Sequence, residues 1–193
     1  YAKIGLRHKD APTRDKSFDK ILAAGQRAAK ITNNVLGMAR NRSQDFEPTD
    51  LANLINESLL LLEREMRKYQ IQVESELEDV PKVRANGNQI QQVLLNLLIN
   101  ATQALQGGDG KELIVRLETN ATEALIHVID TGPGIEQERI DEIFHPYVSN
   151  TQGGSGLGLP TTMRIAQEHG GHITVDSSLG NGSDFTVHIP LLA

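Results

Sequence analysis

The chain contains no cysteine, which excludes disulfides, zinc–thiolate sites and thiol catalysis. It also lacks a basic excess. Nineteen Lys and Arg against 25 Asp and Glu leave a net charge of −6, the wrong sign for gripping a phosphate backbone, so nucleic acid is not an expected partner. No apolar run approaches the ~20 residues of a membrane span. No signal peptide is recognisable at Tyr1, and there is no internal repeat or low-complexity tract. What is present is globular in composition, with 38% hydrophobic and 23% charged residues. A length of 193 residues suits one ordinary domain plus a smaller element. The start without Met is the expected mark of a piece of a longer protein, and the reading is a cytoplasmic piece, whether or not the whole is a membrane-bound sensor.

Residues 16–42 carry a helical pattern. Phe18, Leu22, Gly25, Ala29, Thr32, Leu36 and Ala39 recur at spacings of four and three, widened by Ile21, Ala28, Ile31, Val35 and Met38, the broad stripe of a bundle helix. Tyr1 to Arg7 reads as the tail of an earlier helix and residues 8–14 as a polar turn. The expectation is an incomplete helical hairpin over 1–42, which buries too little apolar surface alone and needs a partner chain. Residues 43–48 read as a linker, and 49–193 as a second domain.

In that domain Thr49 or Asp50 caps a helix to about Arg67, with Leu51, Leu54, Ile55, Leu59, Leu62 and Met66 inward. Ile71 to Leu77 alternates as a half-buried strand. Asn86 or Asn88 caps a long helix through about Leu105, stopped at Gly107-Gly108. Leu113–Glu118 and Ala124–Ile129 are predicted strands, Pro160–His169 a helix stopped at Gly170-Gly171, and Ile173–Val175 with Phe185–Ile189 a last hairpin turned at Gly180-Asn181-Gly182. Helices followed by mostly antiparallel strands give an α+β fold, a two-layer α/β sandwich.

Three features carry chemistry. Asn96 and Asn100 lie four apart on one helix face among Val93, Leu94, Leu97, Leu98 and Ala101. A half-buried amide needs partners: either it caps neighbouring backbone, or its oxygen meets a hard cation such as Mg²⁺. Asp130 ends an apolar strand and enters Gly132-Pro133-Gly134. It reads either as the cap of an Asx-type turn or as an acceptor for an exocyclic amine, with the glycines admitting a flat ring. Gly154 to Gly158 lead into Pro160, in the first turn of a helix, an arrangement suited to phosphate. No Lys-Ser/Thr follows, so it is not a Walker A loop, and no Rossmann unit precedes it. The six histidines show no HxxxH or HxH spacing, and read as surface or cap residues rather than metal ligands.

The order of these motifs resembles the catalytic, ATP-binding domain of sensor histidine kinases, in the GHKL superfamily with the Bergerat fold. Gln92–Ala101 resembles its N box, Asp130–Ile135 its G1 box, Ile143–Tyr147 its F box and Gly154–Leu159 its G2 box. The resemblance covers about residues 49–193, and residues 1–42 are similar to part of the family's dimerisation and phosphotransfer hairpin. It implies ATP and Mg²⁺ as cofactors, a homodimer through the hairpin, and a response regulator receiver domain as partner. It makes Asn100 the main Mg²⁺ ligand with Asn96 assisting, and Asp130 the reader of the adenine amine. Gly132, Gly134 and Ile135 would shape the adenine pocket, with Phe144 nearby. Gly154, Ser155, Gly156, Leu157 and Gly158 would border the phosphates and a lid over 145–156, mobile without nucleotide. Ser183 stands where the family often has a Thr near adenine.

Hydrolysing branches of the superfamily carry Glu one turn before the metal Asn, as a base worth about 10²–10⁴-fold. This chain has Asn96 there, so transfer to an imidazole, which needs no base, is expected rather than fast hydrolysis. Three departures stand out. His8 is followed by Lys9, with Pro12 only four residues on, so it does not match the family's phosphoacceptor box and the acceptor is expected upstream. The run Ser149-Asn150-Thr151-Gln152 holds no lid cation, and Gln103-Ala104 replaces a Lys and Tyr that some relatives carry. Two competing expectations are a serine kinase of the anti-sigma type, which would lack the helix at 16–42, and a non-catalytic nucleotide-binding module.

Overall fold

The computed structural model describes residues 12–13, 15–18, 20–21, 45–107, 110–148 and 156–191. The chain divides into two compact units, residues 1–42 with 149–155 and residues 43–148 with 156–193. In the first, residues 12–13, 15–18 and 20–21 are helical, and Phe18 and Ile21 are 58% and 40% exposed. Leu22, Gly25, Leu36 and the rest of the predicted stripe, and residues 8–11 and 14 of the predicted turn, lie outside the described residues; Pro12 and Thr13, expected in that turn, are helical.

The second unit begins with a short strand, β1 (Glu47–Thr49), followed by helix α1 (Leu51–Lys68). Asp50 is the cap, its Oδ1 accepting from the Asn53 N–H at 3.0 Å. Strands β2 (Gln72–Leu77) and β3 (Val83–Ala85) precede α2 (Gly87–Ala104). Asn86 caps α2 by accepting from the Gln89 N–H at 3.2 Å. A 3₁₀ turn at Leu105–Gly107 ends that helix. The pair β4 (Glu112–Thr119) and β5 (Glu123–Asp130) turns at Asn120, whose Oδ1 accepts from the N–H groups of Thr122 and Glu123. Two 3₁₀ turns, Gln137–Arg139 and Glu142–Phe144, lead to α3 (Gly158–Glu168) and the hairpin β6 (His172–Ser177) with β7 (Ser183–Pro190).

Five strands form one sheet in the order β2-β4-β5-β7-β6. Only β2–β4 is parallel; the other pairs are antiparallel. Alternation sets the two faces. Leu113, Val115 and Leu117 of β4, Ala124, Ile126 and Val128 of β5, and Phe185, Val187 and Ile189 of β7 are buried, in one core with Leu51 and Ile55 of α1, Ile90, Val93, Leu94, Leu97, Leu98 and Ala101 of α2, and Ile165 and Ala166 of α3. The intervening positions Arg116, His127 and His188 are half-buried on the other face. This is the predicted two-layer α+β sandwich.

Residues 43–48, read as a linker, contribute Glu47 and Pro48 to β1, which pairs antiparallel with β3. The Thr49 hydroxyl donates to Ala85 O at 2.9 Å, and Phe46 packs on the His169 ring at 4.7 Å. Helix α3 begins at Gly158, two residues before the predicted Pro160 start.

Candidate functional site

The site is built where β5, α2, α3 and the β6–β7 turn meet. Asp130 ends β5 on its buried face, 5% exposed. Its Oδ1 accepts from the Gly132 N–H at 2.8 Å, the Asx geometry that the DTGPG run allows. Burial pushes its carboxyl up to about 6, and the Gly132 N–H only partly opposes this. A carboxylate this deep, with one backbone donor, has acceptor capacity left over.

The glycines beside it are there for space. A Cβ on Gly132 would press on Asp130 Oδ1 and lie 3.0 Å from Ala104 Cβ. Gly134 has φ +70°, and a Cβ on it would collide with Ser178 O in the β6–β7 turn. Ile135 follows, its N–H donating to Ser177 Oγ at 2.9 Å. The Ser177 hydroxyl in turn donates to Gly182 O at 2.8 Å and lies 3.0 Å from Ser183 Oγ. Ser183 pairs directly with Asp130 across β5 and β7. The two residues, 53 positions apart, thus share one buried wall.

Asn96 and Asn100 are both half-buried on α2. The Asn96 Nδ2 donates to Gly158 O at 3.3 Å and to Thr162 Oγ1 at 3.4 Å. This ties the metal-type helix to the first turn of the phosphate-type helix, and among the described residues its Oδ1 has no hydrogen-bond partner. The Asn100 amide makes no hydrogen bond among the described residues. Two unengaged amide oxygens one turn apart fit Mg²⁺, which takes oxygen ligands and keeps waters and phosphate oxygens in its remaining positions.

Leu157 stands at the N-cap of α3, and among the described residues no side chain caps the helix, whose positive dipole end suits an anion. Before it, the Tyr147 N–H donates to Gly156 O at 3.0 Å. Tyr147 and Gly156 both take left-handed backbone, φ 69° and 64°, and a Cβ on Gly156 would run into the Tyr147 backbone. Phe144 is half-buried against the core beside buried Ile143. Gly154, Ser155 and the lid run from Ser149 lie outside the described residues. An apolar groove of about 410 Å³ between α1 and β2, lined by Leu59, Leu60, Met66 and Val73, shares no residue with this site.

One histidine, read from the sequence as a surface or cap residue, is a buried cap at the back of the site. His169, 8% exposed, closes α3. Its Nε2 accepts from the Asn86 N–H at 3.1 Å while Nδ1 faces Ile165 O at 2.8 Å. It is therefore neutral with the proton on Nδ1, and burial lowers its pKa. It pins the C-terminus of α3 to the N-terminus of α2. Its position before Gly170-Gly171 was the only signal for it.

This sheet and wall define an ATPase domain of the Bergerat type. Residues 85–193, more than half of the chain, match the family of "Histidine kinase-, DNA gyrase B-, and HSP90-like ATPase", and the chain belongs to that family. It is 35% identical to the sensor histidine kinase ZraS of Escherichia coli (strain K12) over 166 residues, 86% of this chain and 35% of that protein. It is 31% identical to sporulation kinase C of Bacillus subtilis (strain 168), over 93% of this chain and 42% of that protein. The chain thus spans about two fifths or less of the length of these curated relatives. Among solved structures, the catalytic domain of histidine kinase ThkA superposes with a TM-score of 0.68 at 34% identity, covering 76% of this chain and 98% of that one. ThkA in complex with the response regulator protein TrrA gives 0.78 at 28% identity, covering 99% and 55%.

Proposed function

We propose that this chain is the ATP-binding catalytic core of a two-component sensor histidine kinase, with part of the dimerisation hairpin at residues 1–42. The observation that carries the proposal is the Asn96–Gly158 contact. It brings an amide pair suited to a hard cation against a helix N-terminus suited to phosphates, with buried Asp130 at the end of the adjoining wall. In this reading Asp130 accepts from the adenine amine, and Gly132, Gly134, Ile135 and Ser183 shape the ring's pocket. Phe144 flanks it, and Gly154 to Gly158 lie along the phosphates. Asn100 and Asn96 would hold Mg²⁺, which would supply charge neutralisation at the phosphates.

The role of these residues is to position and to neutralise charge. The γ-phosphoryl passes from ATP to an imidazole nitrogen on the hairpin, ADP leaves, and a response regulator aspartate is the next acceptor. Asn96 cannot take a proton, so a water in the site is not activated. Kinases named among the relatives and the ThkA–TrrA complex support a phosphorelay partner over the anti-sigma alternative, and the helical residues at 15–18 and 20–21 agree. Nucleotide selectivity tests the site. ADP binds and GDP binds at least about tenfold more weakly, since losing one hydrogen bond to a charged group costs about 1.5–3 kcal/mol. Equal titration curves for ADP and GDP would remove Asp130 from the adenine pocket. Restoring the upstream residues should yield an acid-labile phosphate on histidine, and an acid-stable product would favour the serine kinase reading.

A further inference from the structure

The outer face of the sheet carries a cluster that nucleotide chemistry does not use. His172 of β6 and His188 of β7 are direct cross-strand partners. Leu125 of β5 pairs with His188 on its other side, so Glu123, two residues along β5, occupies the diagonal position on the same face. His188 Nδ1 is 3.2 Å from Glu123 Oε2, and His172 Nδ1 is 3.9 Å from Oε1. One nitrogen from each ring and one carboxylate oxygen lie within 4.8 Å of one another.

We propose that Glu123, His172 and His188 form a binding site for a divalent transition-metal ion of the zinc class. Two imidazoles and a carboxylate are a ligand set for zinc, copper or nickel rather than for Mg²⁺ or Ca²⁺, which prefer all-oxygen shells. Ligands at ~2.0–2.1 Å around a tetrahedral ion stand roughly 3.3 Å apart, close to the 3.2 Å already present between His188 and Glu123. The rings of His172 and His188 are stacked at 4.0 Å and 17°, so one must turn for both to reach one ion. His172 is the one free to do so, its side chain being 53% exposed against 16% for His188.

The supports are also in place. His188 Nε2 is held by the Thr174 hydroxyl at 3.0 Å, which directs Nδ1 toward Glu123, as outer hydrogen bonds orient metal-binding histidines elsewhere. Gly171 keeps β6 tight on β7, because a Cβ there would collide with His188 O. The cluster is distinct from the nucleotide site. Glu123 and Asp130 sit at opposite ends of β5, seven residues or roughly 23 Å apart at 3.3 Å per residue, and that odd spacing puts them on opposite faces. A second cluster, His127 with Asp184 at 3.0 Å and Glu118 at 3.7 Å, shares the outer face and supplies the control.

Zinc titration of the protein without an affinity tag, by calorimetry at neutral pH, decides the matter. One zinc ion should bind per chain, and Co²⁺ should give the visible absorption of a tetrahedral site. His172→Ala and His188→Ala should each lose at least about tenfold in affinity, and Thr174→Val about tenfold through the outer bond alone. His127→Ala should bind zinc as the wild type does, and His172→Ala should keep full ADP affinity, showing that it folds. No zinc binding by the wild type, undiminished binding by His188→Ala, or loss of binding on His127→Ala alone would each overturn the proposal.

Discussion

The Asp130 carboxyl is 5% exposed, faces one backbone donor, and is pushed up to about 6 by burial. A folded pKa above the unfolded value of 3.8 favours folding fully below pH 3.8, and that advantage is lost as pH rises through 6. Two units correspond to about 3 kcal/mol. Asp130→Asn keeps an oxygen for the Gly132 N–H and removes the charge. It should therefore be more stable than wild type at pH 8, by up to about 3 kcal/mol, and equal to it below pH 4, while losing adenine nucleotide affinity. Urea unfolding at the two pH values checks this, and a mutant no more stable at pH 8 would refute it. His169 has the opposite sign of dependence. Its lowered pKa gives stability that is present above pH 6.5 and lost as pH falls toward the folded value. Replacing it by Ala removes the acceptor of the Asn86 N–H and should cost about 1–3 kcal/mol in the same assay.

Among the elements, the turn after β5 shows how much depends on glycine. Gly134 at φ +70° lies against Ser178 O, so Gly134→Ala needs both a left-handed backbone and room that does not exist. A loss of about 1–3 kcal/mol or more is expected, read as a fall in denaturation midpoint together with weaker ADP binding; unchanged stability would show that the turn is not held as described. Much of this was legible in the sequence. Thr49 or Asp50 and Asn86 or Asn88 announced the helix starts, and Asp50 and Asn86 are the caps used; the apolar runs 113–118 and 124–129 marked β4 and β5, and the DTGPG run marked its turn. What was hidden is long-range. Strands β1 and β3 have three residues each, too few for a period, and pair across an intervening helix. The parallel β2–β4 register, the Asn96–Gly158 contact and the His172–His188 pair join residues that no local spacing relates. Gly158 as the start of α3 was masked by Pro160, the more conspicuous first-turn residue.

For the whole molecule, Phe18 and Ile21 stand exposed on the first unit, and burying such side chains is worth roughly 1.5–3 kcal/mol each. A homodimer through this stripe is the proposed cover, since two-fold contact buries the same surface twice. Leu22→Asp with Leu36→Asp should give monomers by sedimentation that still bind ATP, because every proposed nucleotide-site residue lies beyond residue 49. His8 does not match the acceptor pattern, so γ-labelled ATP should leave the chain unlabelled, and an acid-labile phosphate on any of its six histidines would show that the acceptor was misplaced. The central claim is a metal-assisted nucleotide site between α2 and α3, and one titration tests it most directly: ATP into wild type and Asn100→Ala, each with Mg²⁺ and with chelator. The wild type should bind more tightly with Mg²⁺, and the variant should lose that gain while matching the wild type in chelator. Equal binding by the two proteins in Mg²⁺ would contradict the account.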